Sequence, residues 1–248
     1  MSEDVFQMIR SADVNSLEMG LALQCAPVMA GLKVSNLLCI SCHAAYPLNK
    51  LLTGTGICFC RLCVSGGRST FLIYRPRELG AWLALKPVMG LLGQLGYAYS
   101  DLEEILHVFG NRYHSHMQGL GAFPHEMGLL LGYPVEDVLG FILNKGRNYL
   151  YSGYWKVYYD LPGALELFEH FDEVKETAVR WVSRGGSIGE FVNFFINQGG
   201  IEHEQNLYRL LDTDGKYIGH GTGHRPGDHY GRENGGNRGC IKRRSVGA

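Results

Sequence analysis

The sequence predicts an α+β fold, with helices packed on a small, mainly antiparallel sheet over residues 13–183. Three observations carry this. Short runs rich in apolar, β-branched or aromatic residues, at Asn36, Ile57, Thr70 and Tyr154, read as strands. Longer patterns with apolar residues at helical spacing stand around them. Two of the strand runs, 56–63 and 69–75, flank Ser65-Gly66-Gly67-Arg68, which has the composition of a tight hairpin turn. Strands and helices mixed in this way, without regular alternation, belong to α+β proteins.

Taken in order, residues 13–31 read as a first helix. Asn15 or Ser16 can cap it, and Leu17, Leu21, Cys25 and Val28 recur at helical spacing. Pro27 lies inside the pattern, so a kink or break is expected near Gln24-Cys25. Residues 33–41 form the first strand and 44–52 a short helix. After the hairpin, residues 78–95 give one or two helices, interrupted near Pro87 and Gly90. Ser100 is placed to cap a helix that carries His107, His114 and His116 towards Gly119. Residues 161–183 form a long amphipathic helix. Residues 187–198 and 206–211 read as further helices.

The stretch 123–160 is the most informative. Pro124 and Pro134 each suit the start of a short helix, with Glu126 and then Glu136 and Asp137 in the first turns, where negative charge favours the helix dipole. Gly132 and Gly146 suit the ends. Aromatic arms around Ser152-Gly153 read as a β-hairpin. On its second arm Tyr154, Lys156 and Tyr158 share one face, and Trp155, Val157 and Tyr159 the other.

The blocks FPHEMGLLLGYPVEDVLGFILNKG and SGYWKVYYD, with residues 21–36 and Tyr74-Arg75-Pro76 upstream, resemble an uncharacterised clostridial family, domain of unknown function 3793. The resemblance covers residues 13–172. It implies a cytoplasmic protein of an anaerobic bacterium. It also implies a setting in iron or redox metabolism, with a flavodoxin-like redox partner, but no reaction. The expected organisation is a family-like α+β domain at 1–183, a helical extension at 184–218 and a disordered, Gly/His/Arg-rich tail at 219–248, where large aliphatics are too sparse to offset ordering entropy.

A formal net charge of −1 gives no general attraction to nucleic acid or acidic membranes. No apolar run is long enough to span a bilayer, so membrane insertion is not expected. The acidic start lacks the order of a signal peptide, which points to the cytoplasm and to reduced thiols. Of the seven cysteines, Cys39-x-x-Cys42 and Cys60-x-x-Cys63 have the spacing of a four-thiolate zinc or iron–sulfur ribbon. Cys39 to His43 also matches a haem-attachment string. Strand alternation argues against the ribbon, because it turns Cys60 and Cys63 to opposite faces. Asp212-Thr-Asp-Gly215 begins like a calcium loop but lacks the closing Glu. His220, His224 and His229 could hold metal loosely.

Three functions remain open. The first is a ligand-binding or accessory protein, with Arg75, His125, Glu126, Asp137, Tyr154, Trp155 and Lys156 around a cleft for a flat anionic ligand of the flavin or tetrapyrrole class. The second is an enzyme with Cys25 as nucleophile and His125 as base. The third is a metal-ribbon interaction module.

Overall fold

The computed structural model describes residues 2–11, 16–45, 47–98 and 101–199. Asn15, Ser100, the helix expected at 206–211, the Asp212 loop and the tail at 219–248 lie outside them. The chain opens with α1 (Glu3–Ser11) and α2 (Leu17–Met29), then β1 (Ser35–Ser41). A 3-10 turn (Cys42–Ala45) and α3 (Leu48–Leu52) lead to β2 (Cys58–Ser65) and β3 (Arg68–Tyr74). Next come α4 (Pro76–Leu83), α5 (Lys86–Gln94) and α6 (Leu102–Met117). The stretch that follows holds α7 (Met127–Leu130), α8 (Val135–Leu143) and the strands β4 (Tyr151–Ser152) and β5 (Lys156–Val157). Then α9 (Leu161–Ser183) and α10 (Ile188–Gly199) close the described chain.

The main sheet is antiparallel, in the order β1-β3-β2. Gly66 and Gly67 join β2 to β3 at φ of 56° and 73°, the left-handed pair that a two-residue hairpin with matching twist requires. Side-chain alternation along the strands feeds two cores. Leu38, Ile40, Phe71 and Ile73 face one side and pack with α1, α2, α3, α9 and α10. Leu37, Leu72 and Leu62 face the other and pack with α4 to α8. The first core is drawn from both ends of the described chain, from Val5 to Phe191 and Val192. A third, smaller core seats the hairpin β4–β5 on α9 through Trp155, Val157, Phe168 and Phe171.

Four local expectations are corrected. First, α2 runs through Pro27 to Met29 without a break at Gln24-Cys25. The proline sits in the last turn, where little helix remains to be interrupted, and its carbonyl accepts the N–H groups of Leu32 and Lys33. Ser16 is the residue that caps α2, accepting from Met19 N. Second, Asp101 rather than Ser100 caps α6, accepting from Glu104 N at 2.9 Å. Third, both prolines of the 123–160 stretch stand before their helices rather than in them. Pro124 precedes α7 by a turn and Pro134 is the residue ahead of α8. The hairpin tip is likewise shifted, with Gly153 N donating to Trp155 O at 3.0 Å.

The fourth concerns β2. A β-bulge between Arg61 and Cys63 inserts Leu62 into the strand. One extra residue reverses the alternation beyond it. Cys60 opposes Leu72 and Cys63 opposes Thr70, so both thiols lie on the face covered by α6. Cys60 and Cys63 therefore do not point to opposite faces, contrary to the expectation from simple strand alternation.

Candidate functional site

The site grows from one carboxylate. In an ordinary helix start, an acid in the third position can turn back to the capping residue's N–H. The residue ahead of α8 is Pro134, which has none. Asp137, 4% exposed, reaches out to the hairpin instead. Its Oδ2 accepts from Trp155 Nε1 at 2.7 Å, and its Oδ1 from the backbone N–H of Tyr158 at 2.7 Å and of Tyr159 at 3.1 Å. A buried carboxylate with three donors is satisfied without a counter-ion. Asp137 thus fixes the hairpin against α8. Close packing reinforces the joint, since Tyr158 lies against Gly140 where any side chain would collide.

Trp155, held in this way, stacks on Tyr133 with ring centres 5.0 Å apart and meets Phe168 edge-on at 4.5 Å. Phe123, His125 and Phe141 form a second aromatic group, with His125 5.3 Å from Phe123 and 5.9 Å from Phe141. Between the two groups lies a cavity of about 230 Å³, lined by Phe123, His125, Tyr133, Phe141, Trp155 and Lys156 among others. Gly128 is part of its wall, and a side chain there would run into Val138. Two features give the cavity chemistry. His125 Nδ1 is buried and has no hydrogen-bond partner. Lys156 Nζ donates to Gly146 O at 2.7 Å, which leaves two of its three N–H bonds, and it lies over the rings of Phe141 and Tyr149. Burial pushes the Tyr133 hydroxyl up to about 12, so it remains a neutral donor, and it donates to Tyr154 O at 3.3 Å.

The cavity thus gathers His125, Asp137, Trp155 and Lys156 from the residues singled out in the sequence. The others are committed elsewhere. Glu126, 3% exposed, accepts from Tyr97 Oη and from Arg112, both at 3.1 Å. Arg75 caps the end of α2, donating to Val28 O and Met29 O at 2.7 and 2.9 Å. Tyr154 turns to α9, where its hydroxyl donates to Asp172 at 2.7 Å. Phe123, Tyr133 and Phe141 were not anticipated as lining. The available signal was that Phe123 and Tyr133 each stand directly before a proline, while Phe141 lies on α8.

The Cys25–His125 pair is not assembled. Cys25 is fully buried in the first core, its Sγ is 3.7 Å from Leu37 O, and burial pushes its thiol up to about 12. A nucleophile needs a thiolate and access, and Cys25 has neither. Of the paired cysteines, Cys39 Sγ accepts from Arg68 Nε at 3.2 Å, and Cys42 Sγ from Ser69 Oγ at 3.4 Å. Cys39 and Cys63 both oppose Thr70, one on each side of it, and so stand two strand spacings apart, roughly 9–10 Å. Among the described residues no three His, Cys, Asp or Glu side chains are gathered as a metal site. His107 pairs with Asn111 instead.

A larger opening, about 580 Å³, lies between α4, α5 and the start of α6. Its lining is mostly aliphatic and glycine, with Lys86 and Asp101 as its charged members. Volume favours this opening, but the smaller cavity holds the unpaired buried nitrogen, the cation and the stacked rings, and chemistry decides for it.

Fold and site together define an α+β protein whose helices cover both faces of a three-stranded sheet, with a small aromatic cavity beside a hairpin. The chain belongs to the family described as protein of unknown function DUF3793, whose model matches residues 21–192. The match runs past residue 172, where the sequence resemblance fades, and into α10. No curated protein and no solved structure matches the chain. No helix among the described residues is long and apolar enough to cross a membrane.

Proposed function

We propose that the protein binds a flat, anionic small molecule in the cavity beside the hairpin, as a cytoplasmic ligand-binding or accessory protein. The observation that carries this reading is the buried, unpartnered Nδ1 of His125. Leaving a buried polar atom unpaired costs about 1–3 kcal/mol, which a ligand's hydrogen bond would recover. The stacked Tyr133 and Trp155 supply flat apolar walls. Lys156 supplies a cation with donors to spare.

Size narrows the ligand class. Cavities for whole drug-sized ligands span about 300–1,000 Å³. A cavity of about 230 Å³ takes one edge of a planar ring system and leaves the rest outside. That suits the ring of a flavin entering edge-first better than the broad disc of a tetrapyrrole. The iron or redox setting implied by the family resemblance fits this class, with a flavodoxin-like protein as the corresponding redox partner.

The test is a titration with flavin mononucleotide, followed by quenching of tryptophan fluorescence. Saturable quenching is expected, weakened at least tenfold in Lys156→Ala and in His125→Ala, with melting temperatures close to that of the parent. If neither flavin mononucleotide nor riboflavin quenches, or if both variants bind as the parent does, the reading is wrong.

A further inference from the structure

We propose that the end of α8 and the loop after it, residues 143–151, form a peripheral docking surface for an anionic lipid bilayer. This is a shallow contact, not a span, and it stands independently of the cavity's ligand.

The first observation is exposed apolar surface. Leu143 is 78% exposed and Leu150 56%, with Tyr149 at 43% and Tyr151 at 44%. Single exposed apolar side chains are ordinary, but four within nine residues mark an interaction site. Leu143 ends α8, Tyr149 is tied back to that helix by Lys156 Nζ, which lies over the rings of Phe141 and Tyr149, and Leu150 and Tyr151 follow at the start of the hairpin. The loop between them is folded on α8. Gly146 N donates to Phe141 O, Arg147 N donates to Asn144 O, and the Asn148 amide reaches Asn144 Oδ1.

The second is charge. Between Asp137 and Asp160 there is no acidic residue, while Lys145, Arg147 and Lys156 are all cationic. Lys145 and Arg147 are exposed, and neither is in an ion pair among the described residues. A second copy of this surface would bring like charges together, which argues against self-association. Nucleic acid would suit the cations and tyrosines but leave Leu143 and Leu150 unused. An anionic bilayer uses every component. Leucines enter the acyl boundary, tyrosines sit at the headgroup level, and long cations meet the lipid phosphates.

The third is backbone shape. Lys145 and Asn148 have φ of 50° and 56°, left-handed values that L-residues rarely adopt, and Gly146 between them has 70°. Lys156 Nζ pins the loop at Gly146 O. A loop held in this way loses little freedom on docking.

The full-length protein is to be sedimented with vesicles of phosphatidylcholine, with and without phosphatidylglycerol. Binding is expected only with phosphatidylglycerol and is expected to weaken with added salt. Lys145→Asn with Arg147→Gln removes two charges and keeps a residue that tolerates the left-handed turn. It should weaken binding about 30-fold, near fivefold per charge. Leu143→Ser with Leu150→Ser should weaken it at least about tenfold. Melting temperatures equal to the parent's certify that both variants are folded. No sedimentation with anionic vesicles at low salt would overturn the proposal and leave an acidic protein surface as the complement of this loop. Parent-like binding by the leucine variant would overturn it as well, since the contact would then be charge alone.

Discussion

Trp155 Nε1 donates to Asp137 Oδ2 at 2.7 Å, and this contact joins the hairpin tip to the first turn of α8. Both residues are buried, so neither end of the bond has water as a substitute. Asp137→Ala would strand the Trp155 indole N–H and two backbone N–H groups. A loss of about 3 kcal/mol or more is expected from urea unfolding, because each buried unpaired donor costs roughly 1–3 kcal/mol. Trp155→Phe leaves the carboxylate two donors and should cost less. Equal stability of the parent and Asp137→Ala would remove Asp137 as the anchor.

Lys33 sets a pH dependence. It is buried, with its Nζ 2.5 Å from Asn36 Oδ1 and above the ring of Tyr133, and burial lowers its ammonium to about 7. Between pH 7 and the unfolded value near 10.5 the unfolded chain holds more protons, so stability rises with pH. Cys25 acts oppositely above pH 9, because its folded thiol keeps its proton up to about 12. The clean window is therefore pH 7 to 9. There the slope approaches about 1.4 kcal/mol per pH unit, and Lys33→Met should flatten it. Stability independent of pH in this window, measured by urea unfolding, would contradict the assignment.

Glu126 is held by Arg112 and Tyr97 and does not line the cavity. Arg112 also lies over the Tyr97 ring at 4.7 Å. Since Arg112 is about a third exposed, part of the pair's strength is lost to solvent screening. Glu126→Gln is expected to cost about 1–2 kcal/mol while leaving flavin quenching of Trp155 unchanged. Loss of binding without loss of stability would place Glu126 at the ligand.

Thiol reactivity should follow burial. Cys58 is exposed and Cys25 is sealed in the first core. In native protein treated with iodoacetamide, mass mapping should find Cys58 labelled early and Cys25 labelled only after unfolding. Early labelling of Cys25 would show that the first core opens far more readily than its packing implies.

The helices and the three strands were legible because their apolar periods differ, and because Gly66-Gly67 carries turn chemistry in its lack of side chains. The cap of α6 was misplaced by one residue, since Ser100 and Asp101 are both of cap-forming type. The bulge at Leu62 was not legible. An inserted residue leaves a strand-like sequence on both sides of it, and only pairing with β3 reveals the shift. At the site, Asp137, Trp155, Lys156 and His125 were recognised as polar or aromatic punctuation of a patterned stretch. Arg75 and Glu126 look the same in sequence but spend their hydrogen bonds on α2 and on Arg112. Which partner a charged residue meets is a long-range fact, set by packing between segments that the local pattern does not connect.

The first core joins α1 and α2 to α9 and α10, and Ser2 N meets the Glu176 carboxylate across the same seam. A chain emerging from the ribosome therefore completes the β2–β3 hairpin and both strand pairings with α2 already made, while α9 and α10, which finish the first core, are still to come. That core holds Leu38, Ile40, Phe71 and Ile73 and waits for more than a hundred residues of synthesis before Phe191 arrives. At roughly 5–20 residues per second the delay lasts several seconds or longer, during which the nascent chain is a natural client for a holding chaperone.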